Sequence, residues 1–264
     1  MKKRLALLIA LSATSLFPLA AQAQQQRKSP LADAPAIRKR LELRSVRLEF
    51  GGGGGTTINQ DFYHSVFVNL KLGFHITDWL SLSAFGGFTV ANVGTGFHSN
   101  LDATLGVPVA NAPAPTPAEA NASMSKIKQI LAAQLEFTPF TGKYSLFGKI
   151  FAHYDFYGFV GPGFLNLEPT DPGIPACSDS NTSASCGVSG YKLGANFGLG
   201  IHSYINQFLA LNLELRDIMA RINPAGRDTD GNQRADSKDL SWGHTMMVSL
   251  NLVLYLPATA DISP

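Results

Sequence analysis

His153 and Asp155 stand two residues apart, and on an extended chain that spacing puts an imidazole and a carboxylate on one face. Such a pair can exchange a proton, but the sequence supplies no serine partner to activate. Asp228, Asp230, Asn232, Asp236 and Asp239 in DTDGNQRADSKD fall at ligand positions 1, 3, 5, 9 and 12 of a calcium loop. Gln233 stands where that loop needs glycine, and Asp239 replaces the bidentate glutamate. The expectation is a solvated polar loop, with Ca2+ as the alternative. Cys177 and Cys186, nine residues apart in one loop of an exported chain, are expected to close a small ring as a disulfide. Gly51–Gly55 fits a glycine-rich phosphate pattern only trivially, because neither Lys-Ser/Thr nor a helix follows.

The elements that must position these groups read as strands. In YKLGANFGLGIHSYINQFLALNLELRD, residues 191–217, Leu193, Ala195, Phe197, Leu199 and Ile201 alternate with small or polar residues. After a break at residues 204–207, Leu209, Leu211, Leu213 and Leu215 alternate with Ala210, Asn212, Glu214 and Arg216. Period two in two adjacent runs predicts a β-hairpin whose arms can each cross a bilayer. The same alternation places further strands at about 44–52, 64–76, 79–91, 127–138, 144–156 and 241–256. Residues 51–61, 92–125, 158–190 and 219–240 are expected as long loops, and 77–78, 139–143 and 204–207 as short turns. The segment 92–125, rich in Ala and Pro, is expected to be mobile.

The N-terminus points to export. Lys2, Lys3 and Arg4 precede a broken apolar run, and Ala21-Gln22-Ala23 offers a peptidase site. Residues 1–23 are therefore expected as a signal peptide, 24–43 as a periplasmic leader, 44–256 as a barrel and 257–264 as a tail. Cleavage would take three basic groups and no acid, moving the balance from 21 basic against 19 acidic to 18 against 19. No nucleic-acid partner is implied. The remainder has no run of 18 apolar residues, so a membrane would have to be crossed by strands closed into a barrel.

The fold class expected is all-β: an eight-stranded, antiparallel, up-and-down transmembrane β-barrel in the outer membrane. Long and short connections alternate, which sorts short turns to the periplasm and long loops outside. Trp79, Phe140, Tyr144, Tyr204, Phe208 and Tyr255 are expected in an aromatic belt at the turn side. Tyr63, Phe156, Tyr157, Tyr191 and Trp242 are expected at the loop side. The charges share one parity, so Arg47, Glu49, Lys71, Glu136, Lys149, Asp155, Lys192, Glu214 and Arg216 are expected to point inward as a lumen charge network. On the lipid face at mid-membrane an Arg or Lys costs about 2–4 kcal/mol, which specifies the register. Eight strands leave just enough interior for side chains, so a salt-bridged plug is expected before a narrow pore. Enzymatic activity is not expected. His202-Ser203 lacks the His-x-Ser spacing of outer-membrane lipid A deacylases, and no catalytic residue or cofactor is assigned apart from the possible calcium.

Four segments carry a family resemblance: the Gly-Phe-His turn approach at residues 73–75, Thr-Pro-x-x-Gly-Lys at 138–143, His-x-Asp at 153–155 and Leu-Glu-Leu-Arg-Asp at 213–217. In that order, over about residues 44–256, the chain resembles the outer-membrane β-barrel domain family abundant in myxobacteria. The resemblance implies an eight-stranded barrel of mostly unassigned role. It also implies envelope protein partners beside the membrane lipid, since some similar proteins belong to trans-envelope assemblies for gliding motility. The long Ala/Pro segment and the lack of a terminal aromatic depart from that pattern.

Overall fold

The computed structural model describes residues 44–105, 117–146, 150–180, 186–232 and 236–259. The expected signal peptide, the whole leader and the end of the tail lie outside the described residues. Eight strands run β1 Arg47–Thr57, β2 Tyr63–His75, β3 Leu80–Gly94, β4 Ser125–Leu146, β5 Ile150–Pro169, β6 Gly190–Tyr204, β7 Leu209–Ile222 and β8 Ser241–Leu256. Each pairs antiparallel with its neighbour, and β1 pairs β8, so the barrel is closed. From Leu48 the register passes through Phe74, Leu82, Leu135, Val160, Phe197, Asp217 and Met246. Met246 accepts from the Ile58 amide, so the path returns to β1 ten residues further along. That stagger tilts the strands in the way closure of eight strands requires.

The barrel is inverted relative to a soluble one. Leu70, Leu72, Leu213, Leu250 and Leu252 are at least half exposed on the outside, while Lys71, Glu214 and Asn212 are fully buried inside. An apolar exterior around a charged interior is stable only where the exterior meets hydrocarbon. The barrel therefore spans a membrane. Among the described residues no helix is long and apolar enough to do so.

Several boundaries differ from the sequence expectation. The glycines at 51–55 are strand, not loop, because β1 continues to Thr57 between β2 and β8. A side chain at Gly55 would sit 2.7 Å from the Phe67 ring, so glycine lets an extended backbone pass a bulky lumen residue. The β1–β2 connection is consequently only residues 58–62 and is not a long loop. Residues 139–143 are not a turn. Pro139 is carried at a bulge between Phe137 and Phe140, and β4 runs on to Leu146. Residues 147–149, between β4 and β5, lie outside the described residues. Strands β5 and β7 outlast the expected loop starts at 158 and 219, ending at Pro169 and Ile222. The connection after β3 is not all irregular: it contains helices α1 Gly96–Leu105 and α2 Pro117–Ser123.

The aromatic belts are partly as expected. Trp79, Phe140 and Phe208 face outward at the turn end, and Tyr191 and Trp242 at the loop end. Tyr204, Tyr255 and Tyr157 are not belt residues. They have inward parity and are buried in the lumen. Phe156 pairs with Phe140 and so belongs to the turn side.

Candidate functional site

Among the described residues the lumen is where the fold gathers its buried charge, and it has two halves. At the turn-side mouth the Arg47 guanidinium donates to the carbonyls of Gln207 (2.7 Å) and Pro257 (2.8 Å) and lies over the Tyr255 ring. Arg44, just ahead of β1, reaches into the barrel to pair with Asp155. Its backbone amide donates to Asp78 at 2.6 Å. Asp155 also accepts from Tyr204 (2.5 Å) and meets His202 Nδ1 at 2.8 Å.

Deeper in, Lys71 Nζ lies 2.7 Å from Glu136, 3.3 Å from Glu49 and 3.8 Å from Glu214. Glu49 meets His75 at 3.1 Å. Glu136 accepts from Ser81 and Ser83, and Gln134 donates to it at 2.7 Å. Tyr157 stacks on His202 with 4.7 Å between centroids and donates to Glu214 at 2.8 Å. The ring fits because Gly200 stands opposite, where a Cβ would overlap it. Arg216 closes the polar half. It pairs with Glu214, donates to Gln134 (2.7 Å) and Asn196 (2.6 Å), and lies between the rings of Phe85 and Phe159. Buried charges are tolerable only when paired and hydrogen-bonded, and the ion pairs and hydrogen bonds of this packing supply partners to Lys71, Arg216, Glu136 and Asp155.

Above Arg216 the interior is mainly apolar, with Thr57, Ser65 and Thr245 as buried polar members at its edge. Phe67, Ile130, Leu165, Ile218 and Met247 fill the section, with Ile127, Leu167, Ala220 and Ile222 above them, each no more than 7% exposed. Val188 from the β5–β6 connection drops into the same cluster. The three long connections are tied together over it. Cys186 N donates to Gly226 O (2.9 Å), Ser125 N to Pro224 O (3.0 Å) and Thr170 N to Met124 O (2.8 Å). Cys177 and Cys186 form the expected disulfide, with Cα atoms 4.9 Å apart.

Most of the charges expected inside are there: Arg47, Glu49, Lys71, Glu136, Asp155, Glu214 and Arg216 are all buried. Lys192 is not part of the network. It lies opposite Leu165 of the apolar layer, half-buried near the loop end, because its strand climbs past the last lumen acid. Lys149 lies outside the described residues. The network also has members that charge parity did not single out. His75, Gln134, Tyr157, Asn196, His202, Tyr204 and Tyr255 share the inward parity and could have been found by it. The strand expected from residue 44 gives Arg44 the outward parity of Leu48; β1 instead begins at Arg47, and Arg44, ahead of it, turns into the lumen to meet Asp155. His202 and Ser203 face opposite sides of the wall, and Ser203 bonds the Tyr144 hydroxyl.

The acidic loop before β8 folds on its own hydrogen bonds. Asp228, Asp230 and Asp239 bring carboxylate oxygens within 4.8 Å of one another. Asp239 Oδ1 accepts from the Thr229 amide (2.6 Å) and hydroxyl (2.8 Å), and Oδ2 from the Asp236 amide (2.7 Å). Burial pushes the Asp239 pKa up, but those bonds outweigh it and hold it below the ordinary 3.8. Asn232 turns its amide nitrogen, not its oxygen, to Asp230 and Asp236. Asp236 caps the short 3-10 turn Ser237–Asp239. A calcium cage needs six to eight converging oxygens, and this donor set instead satisfies backbone amides.

No family model and no curated protein matches the chain. Solved structures similar to it include the N-terminal β-barrel domain of Pseudomonas aeruginosa OprF, at 11% identity over 80% of this chain and 98% of that one, with a TM-score of 0.42. A major outer membrane protein from Thermus thermophilus is 13% identical over 79% and 99%, with a TM-score of 0.37. The E. coli outer membrane protein W is 11% identical over 80% and 98%, with a TM-score of 0.34. The barrel itself rests on the eight ladders described above.

Proposed function

We propose that this protein is a closed outer-membrane anchor that holds a tied loop cap at the outer face and serves as a structural component of an envelope assembly. The observation that carries this reading is the filled interior. A charge network occupies the turn-side half, an apolar layer the loop-side half, and the tied loops lie over the mouth. An ion entering from the turn side meets paired charges and then a dry layer, where desolvation is prohibitive. The exported N-terminus expected from the sequence argues for the outer membrane, and the myxobacterial resemblance argues for a trans-envelope assembly, gliding machinery among them. Catalysis is not part of this reading, in which His75 and His202 serve the network by engaging Glu49 and Asp155. Reconstitution into planar bilayers is expected to give no single-channel conductance; discrete conductance steps would replace the anchor by a narrow pore.

A further inference from the structure

We infer that the rim where β8 outlasts β1 is a saccharide-binding site. It is a notch in the loop-end rim, bounded within by the top of the apolar layer and well away from the charge network, and so does not depend on whether the barrel conducts. The last β1 partner on β8 is Met247, six residues short of the start of β8 at Ser241. Asn59 pins the short β1–β2 connection across the gap, donating to His244 O (2.9 Å) and accepting from Met246 N (2.7 Å). Since the backbones of Met246 and His244 face this seam, the strand's period of two turns that of Trp242 toward it as well, with no β1 residue opposite. A pocket of about 360 Å³ results, within the range of small-ligand sites.

The groups around the pocket suit a hydroxyl-rich ring. Trp242 is 64% exposed and offers an aromatic face for the C–H side of a sugar, while Ile127 and Ile222 line the inner side of the notch. The Asp61 carboxylate is exposed and, among the described residues, without a partner, so it can accept from two neighbouring hydroxyls. A free carboxylate argues against a phosphate ligand. Gln60 adds an amide. His244 lines the same pocket, its Nδ1 2.7 Å from Asp217 Oδ2, which leaves Nε2 for a ligand. Asp217 has the outward parity of the lipid face, where a carboxylate is costly, and holding that ring accounts for it. The saccharide could come free or as the headgroup of an outer-leaflet glycolipid.

The chain has two tryptophans, so Trp79→Phe leaves Trp242 as the sole reporter. This variant in phosphatidylcholine nanodiscs is titrated with core oligosaccharide released from lipopolysaccharide, and in parallel prepared in nanodiscs containing intact lipopolysaccharide. A Trp242 fluorescence shift is expected in at least one arm, about tenfold or more weakened by Asp61→Ala. Shifts in both arms identify the free sugar as sufficient; a shift only with the intact lipid identifies a membrane-presented headgroup. No shift in either arm, or one that Asp61→Ala leaves unchanged while heat-dependent gel mobility shows the barrel intact, overturns the site.

Discussion

The two halves of the lumen are held by opposite physics. In the turn-side half Lys71, Arg216 and Arg44 face Glu49, Glu136, Glu214 and Asp155, and each group is tolerable only because its partners are in place. In the loop-side half Phe67, Ile130 and Leu165 need no specific partner, only the exclusion of water. The first half is thus specific and brittle, the second forgiving. A barrel with only charges inside would admit water from the loop end. One with only apolar residues inside would lose the register penalty that keeps each strand's polar side inward.

This contrast can be broken most sharply at Lys71. Lys71→Met removes the cation shared by three carboxylates, and urea unfolding in detergent is expected to show a loss of about 3–5 kcal/mol. Adding Glu136→Gln to that variant should recover part of the loss; no recovery would mean the carboxylates are not held as one network. Reduction of Cys177–Cys186 acts on the other half by loosening the loop that carries Val188. The chain-entropy relation for so small a ring gives about 2–3 kcal/mol, and hydrogen exchange should rise at the loop end while the Lys71 layer stays protected. If both layers exchange together, the halves are one cooperative unit.

Ile130→Val trims one methylene from the apolar half and is expected to cost about 0.5–1.5 kcal/mol, well below the Lys71 effect, because the neighbouring chains can close in. Equal losses at the two sites would erase the distinction between them. The smallest effect belongs to the loop before β8. Asp239 is depressed in the folded state, so its contribution is complete above the unfolded aspartate pKa and disappears as pH falls through the lower folded value. Protection of the Thr229 amide is therefore expected to hold down to about pH 4 and to fail in stronger acid. Added calcium should leave that protection unaltered; a calcium-dependent rise would assign the loop an ion.

Parity carried the sequence reading a long way. The alternation in residues 191–217 placed β6 and β7 to within a few residues, and 241–256 coincided with β8. It failed where a residue type has two uses. Glycines at 51–55 read as loop, but in the barrel they are the places where Asn251 and Phe67 press against the wall. Pro139 read as a turn, while a bulge lets β4 pass it. Tyr204 and Tyr255 read as belt aromatics because a tyrosine suits an interface as well as a lumen, and only their inward parity at the mouth decides between the two.

What the chain determined by itself is which side of each strand faces in, since a charge turned into lipid is prohibitive and a single-residue slip would turn several. Height along the barrel was decided only by the tertiary structure. The ten-residue stagger sets which inward residues share a layer. It brings Lys71 level with Glu136 and Glu214 from three different strands and lifts Lys192 out of reach of the lumen acids. No local pattern encodes that stagger, because it is a property of all eight ladders closing at once.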